Sequence, residues 1–361
     1  MADTYEYIRE GQQIALFSCW MPSNRSKSMK RKSVGELTLL ERIRHRAPQG
    51  SRELRLGIGD DCALLRHAAS EELAVTTDLS IAGRHFRLGI HPPEAVGHRT
   101  LARGLSDLAA MGARPVAAFL SLGLPRELAV AKRGRTWVDR FLDGFFALAD
   151  RTKTALAGGD LAESPLAMAD IVLVGTVPRG QALLRSGARP GDLLYVTGAL
   201  GGAAAGLRLL DQISARKKGT SFSISGRNAD LLAPHLYPEP RLAQGRRLQQ
   251  QALATAAIDV SDGLSTDLAH LCSESRVSAE VDSAILPSHP AATLNDALNG
   301  GEDYELLFTA SPKARIPRSI SGVAITRIGR MLPIRKGRPP VMLVTAKGKE
   351  PLEPRGWEHF S

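Results

Sequence analysis

Aspartates recur beside glycine or hydroxyl-bearing residues along the whole chain. They stand in Gly59-Asp60-Asp61, Thr76-Thr77-Asp78, Ser106-Asp107, Gly158-Gly159-Asp160, Asp259-Val260-Ser261-Asp262-Gly263 and Gly300-Gly301-Glu302-Asp303-Tyr304. One such cluster is ordinarily a turn, because the short carboxylate tolerates turn geometry and bonds nearby backbone. Six clusters spread over both halves of the chain ask for a common cause. Two ionised carboxylates about 4 Å apart repel by roughly 4 kcal/mol at an effective dielectric near 20, against a typical domain stability of about 5–15 kcal/mol. Convergence therefore requires cations. Oxygen-only ligands, without His or Cys partners, select Mg²⁺, Mn²⁺ or Ca²⁺ over zinc. Mg²⁺ commonly completes its octahedron with water and substrate phosphate oxygens, so phosphate chemistry is the expected use.

Other routes to that chemistry are missing from the sequence. It has no GxxxxGK[ST] loop, no GxGxxG after the first strand, and no HRD or DFG set. The turn Gly198-Ala199-Leu200-Gly201-Gly202 precedes a helical pattern. It fits either an anion at a helix N-terminus or close helix–strand packing.

The elements that must position these residues read as mixed α/β. Leu37, Leu39, Leu40 and Ile43 have helical spacing, residues 55–65 and 73–78 read as short strands, and Glu94 to Met111 is helical with Gly112 as its stop. Val116–Leu124 reads as a strand, 127–150 as a longer helix, and Ala155–Gly159 and Ile171–Val177 as further strands. A turn-rich stretch from Pro178 to Gly191 marks the boundary of a second α/β region. There follow a strand at Leu193–Thr197, a Gly/Ala-rich helix from Gly201 and a polar loop over 215–228. A helix from Arg241, a strand at Ala256–Val260, a helix at Leu264–Ser273 and more strands complete the chain. A chain of 361 residues is long for one domain, so two are expected.

Composition narrows the function classes. Hydrophobic residues at 43% and charged residues at 23% are globular proportions, which excludes a disordered chain. No apolar run reaches the roughly 18 residues of a membrane span, and Ile14 to Trp20 is short, so a soluble protein without a membrane partner is expected. Cys19, Cys62 and Cys272 are odd in number and widely spaced, which fits a reducing cytoplasm rather than a disulfide scaffold or zinc cluster. The net charge of +10 is dispersed, and the one dense basic run, Arg25 to Lys32, reads as a solvated tail, so no nucleic-acid partner is expected. Cations elsewhere suit polyanionic phosphate substrates.

Eight segments together resemble the thiamine-monophosphate kinase family, in the superfamily of aminoimidazole ribonucleotide synthetase and selenophosphate synthetase. They are LGIGDDCALL at 56–65, TTDLSIAGRHF at 76–86, LSDLAAMGARP at 105–115, GGD at 158–160, LLRSGARPGDLLYVTGALGGAAAGL at 183–207, PEPRLAQG at 238–245, AIDVSDGLSTDL at 257–268 and GGEDYELLFT at 300–309. The resemblance begins at residue 34 and runs in the family's order; residues 1–33 read as a flexible N-terminal extension. It implies a two-domain α/β (α+β) chain of the aminoimidazole ribonucleotide synthetase-like fold, with an N-terminal ATP/Mg-binding and dimerisation domain over 34–180 and a C-terminal α/β domain over 181–361. The N-terminal sheets of two subunits are expected to pair in a homodimer.

The implied reaction is direct, in-line transfer of the ATP γ-phosphate to thiamine monophosphate, with several Mg²⁺ ions and no phosphoenzyme. Carry-over by motif position puts Asp61, Thr76, Thr77, Asp78, Asp107, Asp160, Asp259 and Asp262 on metal, with Asp60 a weaker candidate. Gly159, Asp160, Arg185 and Ser261 are expected on ATP, and His85, Glu302 and Trp357 on thiamine monophosphate. No general base is expected, because an acceptor phosphate oxygen is already a nucleophile. Asp267 reads as stabilising the first turn of a helix. Three positions depart from the family's pattern: Gly104 stands where Asn is usual, and Leu79 and Leu161 stand where small hydroxyl residues are common. The alternatives are another ATP-dependent synthetase of the superfamily and a non-catalytic nucleotide-binding protein.

Overall fold

The computed structural model describes residues 36–47, 51–56, 64–132, 134–216, 227–337 and 339–357. Helix α1 (Glu36–Arg46) opens it, followed by strands β1 (Leu54–Leu56) and β2 (Leu64–Leu65), which pair antiparallel. Then come β3 (Glu71–Ile81), α2 (Pro93–Ala110), β4 (Arg114–Leu124), α3 (Trp137–Thr152), β5 (Ala155–Glu163) and β6 (Met168–Pro178). β3 to β6 form a four-stranded sheet in the order β3-β6-β4-β5. Only β4 and β5 are parallel within it, and α3 supplies the crossover that parallel neighbours need.

The helices bury one face of this sheet. Leu101, Leu105 and Leu108 of α2 and Phe141, Leu142 and Phe145 of α3 pack with Leu120, Ile171 and Leu173. The strand period of two therefore splits β3. Thr76 and Asp78 share the helix side with their cross-strand neighbours Leu173 and Ile171, whereas Leu73, Val75 and Leu79 face outward, 48%, 60% and 44% exposed.

The second sheet is built from β7 (Leu193–Thr197), β8 (Ala256–Asp259), β9 (Ser278–Asp282), β10 (Leu306–Ala310), β11 (Ser319–Ile320), β12 (Val323–Leu332), β13 (Val341–Thr345) and β14 (Gly348–Pro351). Its order is β14-β13-β9-β12-β7-β10-β8, with β11 beside β12 and only β13-β9 parallel. Around it lie α4 (Gly202–Arg216), α5 (Arg227–Leu236), α6 (Leu242–Gln250), α7 (Leu264–Ser275) and α8 (Leu294–Asn299). Leu194, Val196, Ile258, Leu268, Leu271 and Leu307 belong to its core. A smaller cluster joins Ala109 and Ala110 at the end of α2 to Leu248, Phe308 and Ile320, which locks that helix end to the second sheet.

The expected long helix over 127–150 is corrected. Arg126–Ala129 is a short 3₁₀ turn, and α3 starts at Trp137 because Thr136 forms a capping box with Asp139. α5 and α8 were not expected from the sequence. α5 carries Pro234 within its last turn; the loop reading over 215–228 is corrected at residues 215–216, which end α4, and 227–228, which begin α5, and its residues 217–226 lie outside the described residues.

Candidate active site

A cavity of about 540 Å³ draws its walls from both sheets. Its lining includes Asp78 of β3, Arg103 and Asp107 of α2, the Gly83–Arg87 loop, Ala203 and Leu207 of α4, His235 of α5, Asp259, Ser261 and Asp262, Glu302 and Tyr304, and Trp357.

Helix α2 brings the two halves' carboxylates together. The hydroxyl of Thr76 donates to Asp107 Oδ2, and that of Ser106 donates to Asp259 Oδ2 at 2.6 Å, across 153 positions of sequence. Burial, opposed mainly by the Thr76 hydrogen bond, pushes the Asp107 carboxyl above its ordinary range. Burial and then the Asp107 charge push Asp259 up to about 8. Burial raises Asp78 to about 6, despite Arg103 Nη2 at 3.2 Å from its Oδ1. Each of these three carboxyls thus sits in poorly solvated surroundings where the charged form is disfavoured. Oxygen donors in this condition fit a hard divalent cation, whose charge reverses that penalty. Among the described residues, no three His, Cys, Asp or Glu side chains are close enough to enclose a metal ion by themselves. A shared ion would then be completed by water and phosphate oxygens.

The Gly300–Tyr304 segment is held in a costly backbone shape. Glu302 has φ of 68° and Tyr304 of 52°, the left-handed region that non-glycine residues disfavour. Hydrogen bonds from Glu302 N to Ser261 O (2.8 Å) and from Tyr304 N to Val260 O (2.9 Å) fix it against the loop after β8. Arg99 Nη2 donates to both oxygens of Glu302 at 2.6 Å. Although burial opposes ionisation, the charge of Arg99, with that of Arg103, holds that carboxyl down at about 2. Asp303 accepts from Gly201 N (2.5 Å) and Ala203 N (3.0 Å) at the start of α4. The glycine turn that fitted either an anion or packing thus spends donors on a carboxylate of the chain itself. A Cβ on Gly201 would also lie 2.8 Å from Ala297 N, so close packing accounts for the glycine.

Asp267 does more than stabilise a helix turn. Its Oδ2 accepts from Ser261 N, Asp262 N and Gly263 N at 3.0, 3.1 and 3.1 Å, shaping the loop that carries Ser261 and Asp262. His85 accepts from Ile81 N at Nδ1 (3.0 Å), which leaves Nε2 to carry the proton of the neutral ring. Trp357 is half exposed, and its N donates to Asp262 O at 3.0 Å.

The expected site residues thus divide. Asp78, His85, Asp107, Asp259, Ser261, Asp262, Glu302 and Trp357 share the cavity, and Thr76 reaches it through Asp107. Arg185 is exposed and off the lining, but its charge bears on Asp107 and Asp259. Thr77 is exposed, one residue out of phase with Thr76 and Asp78. Asp160 and Gly159 are exposed on β5, and Asp160 aligns with Ser121, Asp170 and Leu79, on the sheet face opposite to Asp78. Asp60 and Asp61 lie outside the described residues. Arg99, Arg103, His91, His235 and Tyr304 were not foreseen. The first two were findable, because Arg99, Arg103 and Asp107 fall at i, i+4 and i+8 on one stripe of an otherwise apolar helix.

Gly104 has a packing reason: a Cβ there would sit 2.8 Å from Leu173 Cδ1, so α2 lies too close to β6 for a larger residue without repacking. Leu79 faces outward, away from the cavity, and Leu161 packs beside the first core.

Comparison with known proteins agrees with this architecture. The model of the AIR synthase related protein N-terminal domain matches residues 59–177, and that of the C-terminal domain matches 189–317. The thiamine-monophosphate kinase of Escherichia coli K12 is 39% identical over 344 residues, covering 91% of this chain and 99% of the relative. The crystal structure of thiamine-monophosphate kinase from Stenotrophomonas maltophilia K279a is 40% identical with a TM-score of 0.72, over 86% of this chain and 97% of that one. A structure of AaThiL complexed with AMPPCP and TMP is 32% identical with a TM-score of 0.69, over 93% of this chain and all of that one. At 17% identity and a TM-score of 0.63, hydrogenase maturation protein HypE in complex with ATP shares the fold. With both AIR synthase related domains present, and with this identity along nearly the full length of its relatives, the chain belongs to the thiamine-monophosphate kinase family.

Proposed function

We infer that the protein phosphorylates thiamine monophosphate to thiamine diphosphate at the expense of ATP. The observation that carries the reading is the meeting of Asp107 and Asp259, from opposite halves of the chain, in one cavity with Asp78, Asp262 and Glu302. The assay is thiamine diphosphate formation from thiamine monophosphate and ATP. Turnover with another acceptor but not with thiamine monophosphate would favour a different synthetase, and nucleotide binding without turnover a non-catalytic role.

Asp78, Asp107, Asp259 and Asp262 are proposed to hold Mg²⁺, with Thr76 as an auxiliary oxygen and Asp61, Thr77 and Asp160 as the family's remaining candidates. When bound, the metal neutralises phosphate charge and draws the two anionic substrates together. Arg185 supplies a guanidinium fork to ATP phosphate, alongside Ser261, Gly159 and Asp160. His85 presents an Nε2–H donor to the acceptor phosphate, Glu302 takes the polar edge of the substrate, and Trp357 stacks on its ring. The chain's own work is alignment and charge compensation, and it needs no base to deprotonate an acceptor already ionised.

The pKa shifts set a pH dependence for the metal-free fold. Asp78 and Asp259 are raised in the folded state, to about 6 and about 8, so the native protein binds more protons than the unfolded chain above about pH 4. Their contribution weakens as pH climbs through that window. With a chelator present, the melting temperature is expected to be lower at pH 8 than at pH 5.5, and Mg²⁺ should remove most of the difference. A chelated protein equally stable at both values would contradict buried, uncompensated carboxyls.

The same reading divides the chain into an N-terminal domain over 34–180 and a C-terminal domain over 181–361, working as a cytoplasmic homodimer. Support for the dimer is the exposed apolar row of Leu73, Val75 and Leu79 on β3 at the edge of its sheet. Val75→Arg with Leu79→Arg is expected to convert the dimer to monomer in sedimentation. A mutant sedimenting like the parent would place the interface elsewhere.

A further inference from the structure

Behind Glu302 lies a run of hydrogen bonds that fixes two histidine tautomers. Arg87 N donates to His91 Nδ1 at 3.1 Å, so the proton of neutral His91 sits on Nε2. That Nε2 lies 3.1 Å from His235 Nε2, so His91 donates, His235 accepts, and the proton of His235 is left on Nδ1. Both rings are neutral: burial first, then the Arg99 charge, lowers His91 to about 4 and His235 well below its usual value.

His235 Nδ1 has no hydrogen-bond partner, although its residue is only 2% exposed, and it stands 3.8 Å from Glu302 Oε2. Arg99 Nε and Nη1 are likewise buried without acceptors. A buried donor left unsatisfied is destabilising. Such an unmet donor calls for a partner in another state of the site. A movement of about 1 Å by Glu302 brings His235 Nδ1–H into hydrogen-bonding range. α4 and α5 pack closely at this residue, since a Cβ on Gly206 of α4 would lie 2.9 Å from His235 Cβ.

We propose that His235, held in its Nδ1–H tautomer by His91, is a positioning residue that clamps Glu302 between itself and Arg99, so that the carboxylate meets an N–H donor of the substrate's aminopyrimidine in one orientation. This rests on the kinase reading and deepens it. A clamp from two sides fixes direction as well as charge, and direction matters for an N–H donor more than for a diffuse cationic ring. His235 touches Glu302 rather than the reacting phosphates, so its removal acts on the binding of one substrate.

The test is a kinetic comparison of three variants in the full chain. His235→Leu deletes the donor, His235→Asn returns an amide N–H to the place of Nδ1, and His235→Gln puts its amide near Nε2 instead. His235→Leu is expected to raise the KM for thiamine monophosphate about tenfold, with kcat and the KM for ATP within about twofold. His235→Asn should recover most of that loss, and His235→Gln should not. If the leucine variant does not fold, the Asn and Gln variants decide by the same contrast. Equal KM values in Asn and Gln variants, or a matching rise in the KM for ATP, would overturn the proposal. A wild-type chain that fails to use thiamine monophosphate would instead sink the kinase reading, leaving the two failures distinct.

Discussion

Asp107→Asn is expected to lower kcat/KM by at least about a hundredfold while leaving the metal-free protein as stable as the parent or more so. Asparagine keeps an oxygen for the Thr76 hydroxyl and removes the charge that helps to raise Asp259 and Asp78. Relief of that repulsion favours the fold, and on the proposed metal reading loss of a charged oxygen ligand would weaken cation binding. Asp262→Asn should lose activity in the same way, and circular dichroism should show both variants folded. Two unfolded variants would make these aspartates structural, and two active ones would remove them from the reaction.

The second large effect concerns Arg99. Arg99→Met deprives Glu302 of its principal cation while the carboxylate stays in its hollow, and breaking a largely buried pair from one side costs about 3 kcal/mol. The sign with pH follows from the depressed carboxyl. Glu302 is held down at about 2, below its ordinary 4.5, so its stabilisation is present above about pH 4.5 and is lost as pH falls toward 2. Urea titrations should therefore show the largest gap between parent and variant near neutrality, shrinking below about pH 4.5. Adding Glu302→Gln to Arg99→Met should recover much of the lost stability, because the stranded charge is then gone. A gap that persists undiminished in the double variant would mean that Arg99 acts through packing alone.

Local chemistry was the legible part of the sequence. Helical spacing foretells α1 and α2, and glycine and hydroxyl neighbours single out Asp78, Asp107, Asp259 and Asp262, which line the cavity. Motif position alone does not say which of two adjacent residues faces the cavity. Thr76 and Thr77 alternate across β3, so only the first reaches Asp107, and a bulge between Ala118 and Phe119 sets the register that turns Asp160 to the other face. α5 went unseen because Pro234 lies in its last turn, and with it went His235. The neighbours β13 and β9 join distant segments in parallel, an order no local pattern encodes. Arg99 and Arg103 were hidden differently: charged residues on a helix ordinarily face solvent, and these face inward because carboxylates from β3 and the Glu302 loop await them.

We propose that carboxylates from both halves of the chain share divalent cations that bring ATP and the acceptor phosphate together. Crystals grown with Mn²⁺, a non-hydrolysable ATP analogue and thiamine monophosphate test it most directly through manganese anomalous scattering. The account predicts manganese within about 2.0–2.4 Å of carboxylate oxygens of Asp107 and Asp259, with phosphate oxygens in the same coordination shells. Both substrates bound with no manganese on either aspartate would contradict it.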